Sequence, residues 1–169
     1  ADWLQCGATA LPGRQLNLRD KRVAQVIAIN PLVGKLFGEG LAQVATPTLI
    51  VSGTDDAITP ALDNQLRPFS QLPNPKYLLT AIGATHLSIS DTAGSNSGST
   101  LVKERLGPEV APLRQLLQGV SLAFIQQLTP QAKRYQPFLT PAYAQSLSTP
   151  SLALRLNSAL PERVARLLN

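Results

Sequence analysis

Two residues of this chain can be read together as an acid and a base: Asp56, in Gly53-Thr54-Asp55-Asp56, and His86, the only histidine, in Gly83-Ala84-Thr85-His86. An imidazole takes a proton from a hydroxyl nucleophile when a carboxylate fixes its tautomer and stabilises the charge it acquires. Each of the two follows an apolar run of strand length that ends in a glycine. Parallel strands lying side by side would bring both groups out at one edge of a sheet, on neighbouring strands about 5 Å apart. The acid precedes the histidine, as in a Ser–Asp–His triad whose serine lies upstream of both. No Gly-x-Ser-x-Gly occurs in the 169 residues, so the pattern supplies two members of a triad and lacks the nucleophile.

The elements that must position the pair are legible as patterns. Residues 23–29, 47–52 and 76–82 are rich in Val, Ile, Leu and Tyr with little strict alternation, which predicts strands covered on both faces and hence a parallel sheet. Between the second and third, Thr59 is placed to cap a helix that Pro60 begins and Pro68 limits. Residues 92–100 form a Gly/Ser-rich stretch without periodicity and read as a loop. Residues 109–128 carry Leu113, Leu116, Leu117, Val120, Phe124 and Leu128, the three-four spacing of one helix face, and that stripe is expected in the core. Prolines at 130, 137, 141, 150 and 161 divide the remainder into short pieces, of which 161–168 reads as helical, and there are no internal repeats.

Composition removes several classes of function. A net charge of +5 is spread over scattered Arg and Lys with few aromatics beside them, which argues against nucleic-acid binding. No apolar run approaches the roughly 18 residues of a transmembrane helix, and no signal peptide is visible at the start. A single cysteine, Cys6, excludes an internal disulfide framework and a cysteine-based metal site, and one histidine excludes a histidine cluster. Neither a reducing nor an oxidising compartment is singled out by this usage.

Plainer readings stand beside the catalytic one. Asp55 and Asp56 would also suit an Asp-rich turn, and a lone histidine is more often a satisfied polar residue than a catalyst. What favours the pair is that both residues stand just past strand ends, about 30 positions apart, with Gly53 allowing a sharp strand exit and Pro60 opening the next helix. Cys6 and Ser97 are the alternative nucleophiles. Leu4 and Ala8 flank Cys6 where a nucleophile elbow wants glycines, and Ser97 follows the histidine in the Gly/Ser-rich loop.

The run from Thr46 to Pro60 (Thr-Pro-Thr-Leu-Ile-Val-Ser-Gly-Thr-Asp-Asp-Ala-Ile-Thr-Pro), followed by Arg67-Pro68-Phe69, Lys76-Tyr77-Leu78-Leu79 and Gly83-Ala84-Thr85-His86, resembles the C-terminal half of the dienelactone-hydrolase-like α/β-hydrolases. It is similar also to platelet-activating-factor acetylhydrolases and cutinase-like polyester hydrolases. Residues 20–90 carry the resemblance, with Asp20-Lys21-Arg22-Val23 and Ala28-Ile29-Asn30-Pro31 in character.

The resemblance implies an α/β fold: the C-terminal portion of a hydrolase domain over residues 1–128, then a helical tail over 129–169. It makes Asp56 the triad acid and His86 the triad base, and sets Asn30 and Pro31 on the substrate-binding rim. It implies ester hydrolysis through an acyl-enzyme, on lipid, polyester or small aliphatic esters, without cofactor or metal. The nucleophile would then lie upstream of residue 1, and this chain alone would be inactive. A non-catalytic scaffold or binding module is the alternative. A sheet opened at residues 23–29 would expose an edge through which copies could associate.

Overall fold

The computed structural model of the chain describes residues 20–34, 36–89 and 110–168. Its elements are β1 (Val26–Ile29), a 3-10 turn (Gly38–Gln43), β2 (Thr48–Gly53), a π-helix (Leu62–Leu66) continuing into α1 (Arg67–Gln71), β3 (Lys76–Ile82) and α2 (His86–Ile89). There follow α3 (Val110–Gln126), α4 (Ala132–Tyr135), a 3-10 turn (Gln136–Leu139), α5 (Pro141–Ser146), β4 (Ala153–Asn157) and α6 (Glu162–Leu168).

β2 is buried along its whole length: Leu49 and Val51 are apolar toward one face, and on the other Ile50 stands between Thr48 and Ser52, which are buried as well. Successive side chains point to opposite faces. Leu49 and Val51 accordingly join one hydrophobic cluster, with Leu79, Ala81 and the inner side of α3, while Ile50 joins the other, with Leu78, Phe69, Leu72 and Leu41. The chain therefore has the α/β architecture expected, with helical segments on both faces of a four-stranded sheet of order β1-β2-β3-β4. β1, β2 and β3 run parallel, with Ile29 opposite Val51 and Val51 opposite Leu79. No helix among the described residues is long and apolar enough to cross a membrane.

The expected helix stripe is found in α3. Leu113, Leu116, Val120 and Phe124 are fully buried, each stabilising the fold by about 2 kcal/mol through burial alone, whereas Leu128 lies beyond the helix end and is 58% exposed. α5 presses on α3 at Gly119, where an added Cβ would collide with the hydroxyl of Tyr143.

Three expectations need correction. The first strand begins at Val26 rather than residue 23; just ahead of it, the Gln25 side chain donates to the carbonyl of Phe124 at 2.6 Å. The tail after residue 128 is not wholly helical, since β4 lies antiparallel along β3, with Leu79 opposite Leu156 and Ala81 opposite Leu154. Its burial alternates strictly: Leu152, Leu154 and Leu156 are buried between more exposed neighbours. That is the period of a strand with one side on a core.

The third correction concerns the helix between β2 and β3, which is not limited by Pro68 but runs through it to Gln71. The N–H of Arg67 reaches back five residues to the carbonyl of Leu62, so the coil is already widened when it meets Pro68, which has no N–H to donate. The helix resumes with Leu72 N–H on the Pro68 carbonyl at 3.1 Å. Lys76 closes its end, donating to the carbonyls of Phe69 (2.8 Å), Ser70 (3.3 Å) and Leu72 (2.6 Å).

Candidate active site

β2 and β3 end in register, with Gly53 opposite Ala81, so the segments after them leave the sheet at the same edge. At the end of β3 the chain turns at Gly83 with φ of 81°, a region that glycine enters without steric cost. Gly53 serves a different purpose from the sharp exit anticipated, since its φ is not positive. An added Cβ there would fall on the carbonyl oxygen of Ala84 and stand 3.2 Å from Cδ1 of Ile89. The bare backbone thus lets the histidine loop lie directly on the acid loop. Three hydrogen bonds hold them together: Thr54 N–H to the Ala81 carbonyl (3.1 Å), Asp55 N–H to the Ala84 carbonyl (3.0 Å) and Gly83 N–H to Thr54 Oγ1 (2.8 Å).

The two adjacent acids are sorted by this turn. Asp55 is exposed and accepts the hydroxyl of Thr54 at 3.1 Å. Asp56 points inward and is 4% exposed. Its Oδ1 accepts the backbone N–H groups of Ile58 (2.9 Å) and Thr59 (2.7 Å), and its Oδ2 accepts the Thr59 hydroxyl (2.8 Å). The fourth position goes to His86, whose Nδ1 lies 2.8 Å from Oδ2. An ionised carboxylate only accepts, so paired with one the ring donates from Nδ1, the tautomer that leaves Nε2 as its acceptor nitrogen. The Asp56 side chain is fully buried, while His86, opening α2, keeps 25% of its surface exposed.

Of the two residues expected on the rim, Asn30 belongs to this network and is 5% exposed. It follows β1 with φ of 43°, the left-handed conformation that asparagine tolerates better than most residues. From there its Nδ2 donates to the backbone carbonyl of His86 (3.3 Å), and its own carbonyl lies 3.2 Å from the Thr59 hydroxyl. The Oδ1 of Asn30 is buried and has no partner among the described residues. Pro31 stands one step further out, its carbonyl accepting from Gln65 Nε2 at 2.9 Å.

Gln65 is a residue that sequence reasoning missed. It is fully buried, and its amide spans the carbonyls of Pro31 and Thr59 (3.2 Å) while its Oε1 faces the hydroxyl of Ser52 at 3.4 Å. Asn64 beside it accepts the N–H of Gly34 at 2.9 Å. These two side chains tie the exit of β1 to the acid loop. Ordinary helical periodicity could not have found them, since they sit in the widened π turn.

The alternative nucleophiles Cys6 and Ser97, with the loop at 92–100, lie outside the described residues. Among the described residues, no three His, Cys, Asp or Glu side chains gather where they could hold a metal ion. The sequence matches no known protein-family model, and no curated protein matches it.

Proposed function

We propose that this chain carries the acid and base of a serine-type carboxylic ester hydrolase, of esterase or lipase-like specificity, with the nucleophile supplied from upstream of residue 1. The observation that carries the reading is the contact between Asp56 Oδ2 and His86 Nδ1, 2.8 Å long, in which a fully buried carboxylate holds a partly exposed imidazole just past the ends of two adjacent parallel strands. In the reaction, His86 Nε2 takes the proton from the serine hydroxyl as it attacks the ester carbonyl, and returns it to the departing alcohol. Asp56 keeps the ring in the required tautomer and stabilises the imidazolium between those two events. Pro31 lines the rim on the β1 side, and Asn30, buried behind it, holds the backbone of His86. Lipid, polyester or small aliphatic esters are the proposed substrate class.

The missing Gly-x-Ser-x-Gly favours a second reading, a hydrolase-like scaffold that binds without catalysing. Hydrolysis of p-nitrophenyl butyrate and labelling by a fluorophosphonate separate the two. The chain alone should show background rates and no label. Expressed with the sequence its gene places ahead of residue 1, it should turn over and label at a serine, with both lost in His86→Ala. Full activity retained in His86→Ala would overturn the assignment, and an inert longer protein would favour the scaffold. Turnover by the chain alone that disappears in Cys6→Ala would promote the cysteine instead.

A further inference from the structure

We propose that Thr59 is a positioning residue for the acid and base, setting which oxygen of Asp56 meets His86 and how much charge that oxygen presents. This deepens the Asp56–His86 reading and rests on it. Thr59 is 4% exposed, and its hydroxyl is turned to the acid rather than to capping the helix that follows. Its backbone N–H and its hydroxyl grip the carboxylate on both oxygens, at 2.7 Å to Oδ1 and 2.8 Å to Oδ2. Only one position on Oδ2 then remains, and it is the one His86 occupies. The same hydroxyl oxygen lies 3.3 Å from His86 Nδ1 and 3.2 Å from the carbonyl of Asn30, so it touches all three elements of the site. A hydroxyl has a single proton, and the shortest of these contacts, to Oδ2, receives it. That proton shares the negative charge with which His86 interacts.

Replacing the hydroxyl by a methyl group of similar shape should concentrate that charge on Oδ2 and stabilise the protonated ring. Because His86 is the only histidine, its ring protons give an unambiguous NMR titration in the full chain. In Thr59→Val the titration of His86 should move to higher pH than in the wild type, while Thr59→Ser, which keeps the hydroxyl, should match the wild type. Asp56→Asn should lower the midpoint. An unchanged or lowered midpoint in Thr59→Val, with the expected fall in Asp56→Asn, would overturn the role of Thr59 and leave the pair standing. No change in Asp56→Asn would sink both. Should Thr59→Val fail to fold, the wild-type chain still decides: a slowly exchanging Thr59 hydroxyl proton with a nuclear Overhauser contact to the His86 ring is expected, and its absence in a folded spectrum counts against the proposal.

Discussion

Gly53→Ala is the perturbation that most directly probes how the site is built. The new Cβ would land on the carbonyl oxygen of Ala84, with Cδ1 of Ile89 at 3.2 Å. The isoleucine tip can rotate away, but the carbonyl is backbone and must retreat by roughly an ångström to restore van der Waals contact. That retreat stretches the 3.0 Å bond from Asp55 N–H to Ala84, at a cost of about 1 kcal/mol. Overpacking strain adds about 1–3 kcal/mol, for a total of about 2–4 kcal/mol. In a chain of this length, that corresponds to a melting temperature lower by about 5–15 °C. The same retreat carries His86, two residues after Ala84, away from Asp56. Thermal unfolding followed by circular dichroism measures the first effect, and the ring resonances of the single histidine report the second. A Gly53→Ala protein melting within about 2 °C of the wild type, with unchanged His86 resonances, would refute the close-approach argument.

Other perturbations act on the layers around the pair. Asp56→Ala removes the acceptor of two backbone N–H groups, the Thr59 hydroxyl and His86, and should destabilise the fold by roughly 3–5 kcal/mol, measured by urea unfolding; a loss below about 1 kcal/mol would show that these donors find other partners. Gln65→Leu keeps the volume but abandons the carbonyls of Pro31 and Thr59, and should lower the urea midpoint at unchanged slope, by an amount equivalent to about 2–3 kcal/mol. β1 has no strand on its outer side among the described residues, and Ile29 at its end is 52% exposed. The chain by itself should therefore associate, so light scattering coupled to size exclusion should find dimers or larger species; a monomer with a sharp cooperative melt would count against an open edge.

What the sequence determines by itself follows from pattern. The runs at β2 and β3 place apolar residues on both faces, Leu49, Val51, Leu79 and Ala81 on one and Ile50 and Leu78 on the other, and that implies strands covered on both sides; the three-four spacing of Leu113, Leu116, Val120 and Phe124 likewise implies the buried face of α3. Asp56 and His86 stand out because their types, their glycine-ended strands and their order can be read along the chain. β4 was legible too, since Leu152, Leu154 and Leu156 alternate with period two, but the prolines around them suggested short helical pieces. Tertiary structure alone decided the rest. Gly53 is needed because of a carbonyl supplied 31 positions later, and no local pattern encodes that approach. The passage of the helix through Pro68 depends on a π turn that propensity does not announce. Asn30, Thr59 and Gln65 lie in three different segments, and each finds its partners only when the exit of β1, the acid loop and the histidine loop converge on one edge of the sheet. Periodicity tells a residue which face to occupy; the partner across the fold is fixed only by packing.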